Sequence, residues 1–169
     1  MKSAEFLRVK FMMIWIVTHF TRKGFQDMNF MIDTNIILDV MLEREPFFRT
    51  SGKVLEFCET KKINGFVTAS TITDFFYITR KATGSIDKAY SVVNKTLNIV
   101  KVLPVTNEDV NRALLIRAND FEDCLLAVCA KNNHCDAIVT RNSGDFRNFG
   151  IRLFTPEETI RLITKQDTI

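Results

Sequence analysis

Carboxylates are the only chemically reactive groups that this sequence offers in large number. Asp33 ends the apolar run at residues 29–33, and Asp145 lies beyond the apolar run at 137–140. The chain has only two histidines, and it contains no glycine-rich phosphate loop and no G-x-S-x-G motif. The chemistry is therefore expected to depend on acidic side chains rather than on a nucleophile activated by histidine.

Acidic residues from distant parts of the sequence could gather into one site. The candidates are Asp33, Asp74, Asp120, Glu122, Asp123 and Asp145. Two carboxylates ~5 Å apart repel by on the order of 3 kcal/mol at an effective dielectric constant of ~20. A hard divalent cation offsets such repulsion, and oxygen ligands favour Mg²⁺ or Mn²⁺ over zinc. Such ions can activate water for attack on a phosphodiester, which requires no histidine.

Short apolar runs that alternate with helical patterns must position these acids. The patterns predict strands at residues 29–33, 66–68, 100–105, 137–140 and 152–154. Helices are predicted at 36–42, 49–62, 71–82 and 86–98, after Thr106, after Asp120 and from Pro156. This alternation is typical of a mainly parallel sheet covered on both faces, and it predicts a three-layer α/β/α fold with five strands. In such sheets the ligand site lies at the carboxyl ends of the strands.

Several of these acids also have structural roles open to them. Asp74 forms a T-x-x-D capping pattern with Thr71, and Asp120 is a good N-cap for the helix that follows it. Asp145 could be a turn residue. Asp33 has no helix to cap unless the first helix begins directly after it. On the residues alone, capping and metal binding therefore both stay open for Asp74 and Asp120.

Four motifs, taken in order, resemble those of the PIN-domain family. Residues 33–39, Asp-Thr-Asn-Ile-Ile-Leu-Asp, resemble the end of the family's opening strand with its first metal-binding aspartate. The second, third and fourth motifs are matched by residues 70–81, 120–130 and 139–146. Residues 154–158 resemble the family's closing helix, so the likeness extends over about residues 29–163.

The resemblance implies a metal site and identifies its ligands in this chain. They are Asp33, Asp74, Asp123 and Asp145, supported by Asn35 and by Thr140 or Asn142, with Mg²⁺ or Mn²⁺ as the cofactor. Position 74 is Asp where many family members have Glu, and the shorter side chain implies that a water can intervene. The family's sheet order puts the first strand beside the fourth and the third at an edge. This order agrees with Pro104 in the third predicted strand, because proline cannot donate a hydrogen bond to a neighbouring strand.

The helix after Asp120 carries two acids in its first turn, and periodicity does not choose between them. Residues 125–130 are all apolar, so this helix has no polar face that would fix its rotation. Asp120 is expected to cap the helix, while Glu122 and Asp123 point ~100° apart about its axis. The family's register, an aspartate before a Cys/Ala-Leu-Leu-Ala run, selects Asp123 and leaves Glu122 with little expected effect.

The resemblance implies a metal-dependent endoribonuclease similar to the toxins of bacterial type II toxin–antitoxin pairs. It further implies an RNA substrate, a homodimer and a cognate antitoxin that blocks the acidic site. The alternative is a PIN-like module that binds RNA or protein without cleaving, which Asp74 in place of Glu favours. A doubly wound phospho-acceptor domain also gathers aspartates, but it needs a lysine after its last strand, and the first one there is Lys165.

Composition fits an intracellular globular domain. The 169 residues are 46% hydrophobic and 25% charged, which is typical of a single domain. The net charge of +3 rises to +7 for the rest of the chain when four acids are assigned to one site, as suits an enzyme acting on a polyanion. Basic residues that could contact RNA phosphates are Arg44, Arg49, Arg80, Lys81, Arg141 and Arg147. The four cysteines form no C-x-x-C pair and are expected to be reduced core thiols in the cytoplasm.

The first 28 residues precede every family-like motif. The apolar run at residues 11–17 is too short to span a bilayer, which needs ~20 residues, and no small-residue cleavage site follows it. We therefore expect an N-terminal extension at 1–28, a PIN-like nuclease domain at 29–169 and no association with membranes.

Overall fold

Short apolar runs form five strands in the computed structural model, which describes residues 24–144, 146 and 149–164. The strands are β1 (Asn29–Ile32), β2 (Asn64–Thr68), β3 (Lys101–Leu103), β4 (Ala137–Val139) and β5 (Leu153–Phe154). They lie in the order β3-β2-β1-β4-β5, and every pairing between neighbours is parallel. The predicted places of the first strand beside the fourth and of the third strand at an edge are therefore confirmed.

Seven α-helices connect and follow these strands within the described residues. They are α1 (Thr34–Met41), α2 (Phe48–Glu59), α3 (Ala69–Thr83), α4 (Ile86–Ile99), α5 (Asn107–Ile116), α6 (Phe121–Asn132) and α7 (Pro156–Thr164). A short 3-10 helix at Phe25–Asp27 precedes β1. Thr106 and Asp109 form the capping box that starts α5, and Gly84 ends α3 in the left-handed conformation that favours glycine. None of the described helices is both long enough and apolar enough to cross a bilayer.

The sheet separates two apolar clusters, so alternate residues of one strand serve different layers. Phe30 and Ile32 of β1 pack in a cluster with residues of α1, α2, α3, α4 and α7. Met31, between them, packs in the other cluster with residues of α5 and α6. Both faces of the sheet are thus covered by helices, and the predicted three-layer α/β/α fold is confirmed.

The four cysteines belong to these two clusters. All of them are buried and unpaired, as the sequence predicts for core thiols. Burial raises the pKa of Cys58, Cys129 and Cys135 to about 12. These thiols therefore act as small apolar side chains rather than as nucleophiles or metal ligands.

Strand order reverses between β1 and β4. From β1 the chain builds the sheet outward through β2 to β3, and it then crosses through α5 and α6 to place β4 on the other side of β1. The connections after β1 and β4 consequently leave the sheet on different sides, and in folds of this kind the ligand crevice lies at the carboxyl ends of such strands. Asp33 follows β1 and Thr140 follows β4, so both lie at this crevice.

Gly65 of β2 lies so close to α2 that no side chain fits. A Cβ atom there would lie 2.6 Å from Cys58 Sγ and 2.8 Å from Val100 Cγ1. We expect Gly65→Ala to lower the free energy of unfolding by about 1–3 kcal/mol, the usual cost of overpacking a core. Gly52→Ala is the control, because its Cβ would meet only Val40, at 3.9 Å, and alanine favours a helix over glycine by ~1 kcal/mol. Urea unfolding measures both variants, and equal stability of the two would contradict this expectation.

Candidate active site

Asp33 is buried at the carboxyl end of β1, with 5% of its surface exposed. It holds the N-cap position of α1, yet its side chain makes no capping hydrogen bond. Its Oδ2 instead accepts hydrogen bonds from Thr140 Oγ1 and Asn35 Nδ2, both at 2.5 Å. The carboxylate is therefore held from two sides, by the residue that follows β4 and by a side chain in the first turn of α1.

Thr140 is itself held firmly where β4 ends. It is fully buried, and its backbone N–H donates to Phe154 O at 3.0 Å. Its hydroxyl oxygen accepts from the backbone N–H of Asn142 at 2.9 Å, and Asn35 Nδ2 lies 3.4 Å away. Two of the predicted supporting side chains, Asn35 and Thr140, thus contact Asp33 directly. Asn142 supports Thr140 through its backbone, and its own side chain is exposed.

Burial is the main influence on the charge of Asp33. It raises the pKa of this carboxyl, and the hydrogen bonds from Thr140 and Asn35 oppose the rise. A carboxylate in this position is costly unless a cation or further donors compensate for the water it has lost.

Glu122, in the first turn of α6, extends the acidic site. Its Oε1 accepts a hydrogen bond from Thr34 Oγ1 at 3.3 Å, next to Asp33 in the chain. Burial raises the pKa of Glu122, and the negative charges of Asp74, Asp33 and Asp120 raise it further. The negative charges of three other carboxylates therefore act on Glu122.

Asp74 of α3 is half-buried, and its negative charge acts on Glu122. Burial raises its pKa as well. The capping alternative for Asp74 is wrong, because α3 begins at Ala69 and Asp74 is its sixth residue rather than part of its first turn. The cap is Thr68, whose hydroxyl accepts from the backbone N–H of Thr71 at 3.2 Å. The carboxylate of Asp74 is therefore not the cap of α3.

The remaining predicted acids are Asp120 and Asp123, at the start of α6, and Asp145. Asp120 caps α6 as expected, since its Oδ1 accepts from the backbone N–H of Asp123 at 3.1 Å. Asp123 is half-buried one position beyond Glu122. Asp145 lies outside the described residues. Glu122 was not expected to matter, and its contact with Thr34 joins segments too far apart in sequence for spacing to suggest it.

The donor set suits a hard cation. Every acidic or supporting side chain in the site offers oxygen, which Mg²⁺ and Mn²⁺ prefer. A divalent cation would relieve the repulsion that Glu122 experiences from its acidic neighbours. Within the part of the chain that the structure describes, no three potential ligands are grouped closely enough to hold an ion. The donor chemistry therefore fits the metal, while the described ligands alone do not complete a coordination shell.

The basic residues that could contact RNA phosphates differ in how far their side chains are exposed. Arg49, Arg80 and Lys81 are exposed, and Arg44 is half-buried. Arg141 pairs with Asp39, its Nε lying 2.8 Å from Oδ2. Arg147 lies outside the described residues.

Comparison with known proteins identifies the family to which this chain belongs. The sequence pattern of the PIN domain matches residues 29–144, and the chain therefore belongs to the PIN-domain family. Ribonuclease VapC1 of Aquifex aeolicus (strain VF5) is 26% identical over 132 residues, which cover 75% of this chain and 90% of that protein.

Solved structures agree on the fold. VapBC2 from Rickettsia felis, bound to a DNA fragment from its promoter, superposes with a TM-score of 0.61 at 16% identity, covering 76% of this chain and 98% of that one. VapC20 of Mycobacterium tuberculosis, a toxin that cleaves the sarcin–ricin loop, superposes with a TM-score of 0.58 at 14% identity. The match covers 72% of this chain and 95% of VapC20. At these identities the likeness establishes the fold alone.

Proposed function

We propose that this chain is a divalent-metal-dependent endoribonuclease and the toxin of a toxin–antitoxin pair. One observation carries the proposal: a buried aspartate, Asp33, is held by Thr140 and Asn35 where strand order reverses in a parallel sheet, and its negative charge reaches Glu122 of α6. The relation to Ribonuclease VapC1 supports RNA as the substrate.

The residues that would hold the metal are Asp33, Asp74, Asp123 and Asp145, with Glu122 added. The chemistry that Mg²⁺ or Mn²⁺ supplies in such a site is activation of water and neutralisation of charge on the phosphodiester. Thr140 and Asn35 fix the orientation of Asp33, and Thr34 holds the side chain of Glu122. These neighbours restrict the carboxylates to one arrangement before the substrate arrives, which lowers the cost of reaching the transition state.

The proposed partners are a second copy of the chain and a cognate antitoxin. An exposed apolar patch at the corner between α5 and α6 supports the homodimer; it consists of Leu114, Leu115, Ile116 and Phe121. Leu115 is 84% exposed, and the four apolar side chains together indicate an interface, because single exposed leucines are common on protein surfaces. The antitoxin is supported by the toxin–antitoxin complexes among the structural neighbours.

The proposed location is the cytoplasm, and the four buried, unpaired cysteines support a reducing compartment. We also propose that residues 29–169 form the nuclease domain and that residues 1–28 are an N-terminal extension. Met28, the last residue of that extension, packs in the core, and Gln26 O accepts a hydrogen bond from Asn64 Nδ2 at 2.9 Å. The junction therefore contributes to the fold.

A second candidate function is RNA or protein binding without cleavage. It is favoured by Asp74, whose side chain is shorter than the glutamate that many family members have at this position. The two candidates differ in a single observable, which is whether the RNA strand is cut.

RNA cleavage by the purified chain tests the proposal. We expect end-labelled single-stranded RNA to be cut in millimolar Mn²⁺ or Mg²⁺ and left intact in excess chelator, with activity restored when metal is returned. Single-stranded DNA of the same sequence is the control and should be spared. Retention of RNA without cutting would favour the binding module, and cutting that persists in chelator would exclude the metal-dependent reaction. Growth arrest on expression, relieved by the neighbouring open reading frame, tests the toxin assignment.

A further inference from the structure

A buried ion pair lies beside the acidic site and is not part of it. Asp39 of α1 is wholly buried, and its Oδ2 accepts a hydrogen bond from Ser51 Oγ of α2 at 2.8 Å. Arg141 Nε lies 2.8 Å from the same oxygen. The Nε–H does not point along this line, so the contact is an ion pair rather than an aligned hydrogen bond.

Arg141 is held through both its side chain and its backbone. Its guanidinium carbon lies 3.9 Å from the centre of the Phe47 ring, just before α2. Its backbone N–H donates to Asn35 Oδ1 at 3.5 Å. Asn35 and Asp39 are four residues apart on α1 and therefore share one face of that helix. A single face of α1 thus contacts both ends of Arg141.

This arrangement bears on Asp33 through the neighbours of Arg141. Thr140, the preceding residue, donates its hydroxyl hydrogen to Asp33, and Asn142, the following residue, donates its N–H to that hydroxyl oxygen. We propose that the Asp39–Arg141 pair is a positioning device that holds the turn after β4 so that Thr140 keeps Asp33 in its working orientation. The catalytic consequence rests on the proposed function.

The physical chemistry favours positioning over simple stabilisation. Taking two charges out of water costs about as much as their attraction returns, so well-packed apolar residues often stabilise a core equally well. Among the described residues no donor reaches Asp39 Oδ1, so the pair is not arranged for the greatest number of hydrogen bonds. The pair instead fixes the orientation of Arg141, because its planar guanidinium stacks on the Phe47 ring and faces the Asp39 carboxylate at the same time.

The alternative role for Arg141 is contact with RNA phosphates. Its side chain is only 26% exposed and is already occupied by Asp39 and Phe47. A phosphate contact would mainly affect substrate affinity, whereas a positioning role affects the rate of the chemical step.

The test compares Arg141→Gln, Asp39→Asn and the double variant with the parent. Arg112→Gln is the control, because it makes the same chemical change at an exposed arginine, which pairs with Glu108 at 3.5 Å and donates to Asn132 Oδ1 at 2.9 Å. Amide hydrogen exchange at Asn142 is measured in the metal-free protein, and kcat and KM are measured for RNA cleavage.

We expect Arg141→Gln to speed exchange at Asn142 by at least about tenfold, since the turn loses its anchor. We expect kcat to fall by about 10–100-fold, the usual effect of removing a group that orients a ligand, with KM little changed. The double variant should be no worse than the worse single variant, because both remove one interaction. Arg141→Lys, which keeps the charge, should recover part of the loss and replaces Arg141→Gln if that variant does not fold.

Three results would overturn the proposal. Exchange at Asn142 unchanged from the Arg112→Gln control would show that the pair does not hold the turn. A lower melting temperature with unchanged kcat would show a structural role alone. A raised KM with unchanged kcat would assign Arg141 to RNA binding. The exchange measurement needs neither RNA nor metal, so it decides the role of the pair even if the parent chain proves unable to cleave.

Discussion

Asp33→Asn is expected to abolish RNA cleavage while leaving the chain folded. Asparagine keeps the size of the side chain and an oxygen that Thr140 can still donate to, but it removes the charge that a cation would bind. We expect the rate to fall by far more than the roughly 10–100-fold typical of residues that only orient a ligand. Burial disfavours the charged form of this carboxyl, so the neutral amide should not destabilise the metal-free protein.

Loss of activity without loss of stability separates this prediction from unfolding. Asp87→Asn is the matched control, because it makes the same chemical change at an exposed aspartate in the first turn of α4. Initial rates at saturating Mn²⁺ and melting temperatures without metal are compared for the parent and both variants. A rate for Asp33→Asn within about twofold of the parent, less than RT in free energy, would remove Asp33 from the site.

Substitutions of the three acids at the start of α6 are expected to have different effects on the rate of RNA cleavage. Asp123→Asn should abolish cleavage, because we propose from the family register that this residue is a metal ligand. Glu122→Gln should lower the rate by at least about tenfold, which corresponds to ~1.4 kcal/mol, because its carboxylate interacts with Asp74 and Asp33. Asp120→Asn should be nearly silent, because asparagine caps a helix about as well as aspartate.

The three α6 variants are compared by RNA cleavage and by the rise in melting temperature on adding Mn²⁺. Full activity in Glu122→Gln would confine the contribution of the helix to Asp123. Full activity in Asp123→Asn, with loss in Glu122→Gln, would move the ligand by one residue. Activity in both would exclude α6 from the metal site.

Much of the fold could be predicted because local signals and tertiary structure agree. The apolar run that ends at Asp33 forms β1, the capping box of Thr106 and Asp109 starts α5, and Pro104 follows an edge strand. Each of these features depends on a few neighbouring residues, which a single sequence displays in full.

One prediction, the capping role of Asp74, was wrong because two residues of the same type competed for the cap, and the rotation of α6 stayed open because its sequence shows no periodicity. Thr68 and Thr71 are both good caps, and the choice depended on β2 passing into α3 without a linker. The rotation of α6 could not be read because seven consecutive residues, 124–130, are buried. The position of Glu122 against Thr34 follows from that rotation.

The ion pair of Asp39 and Arg141 was missed for a different reason. Its members lie in separate motifs, and each alone resembles an ordinary charged residue. One signal was present: Asp39 interrupts the apolar segment at residues 36–42, and an acid that is buried in a helix needs a partner. The identity of that partner depends on how β4 pairs with β1, which the spacing of residues does not contain.

Calorimetric titration of the metal-free chain with Mn²⁺ tests most directly whether the carboxylates around Asp33 form a metal site. The parent is expected to bind Mn²⁺ saturably and, at a hundredfold excess over Kd, to gain about 2.7 kcal/mol of stability by linkage. Asp33→Asn is expected to bind at least about tenfold more weakly, while Asp87→Asn binds as the parent does. Identical isotherms for the parent and Asp33→Asn, or no binding by the parent at millimolar Mn²⁺, would contradict the account.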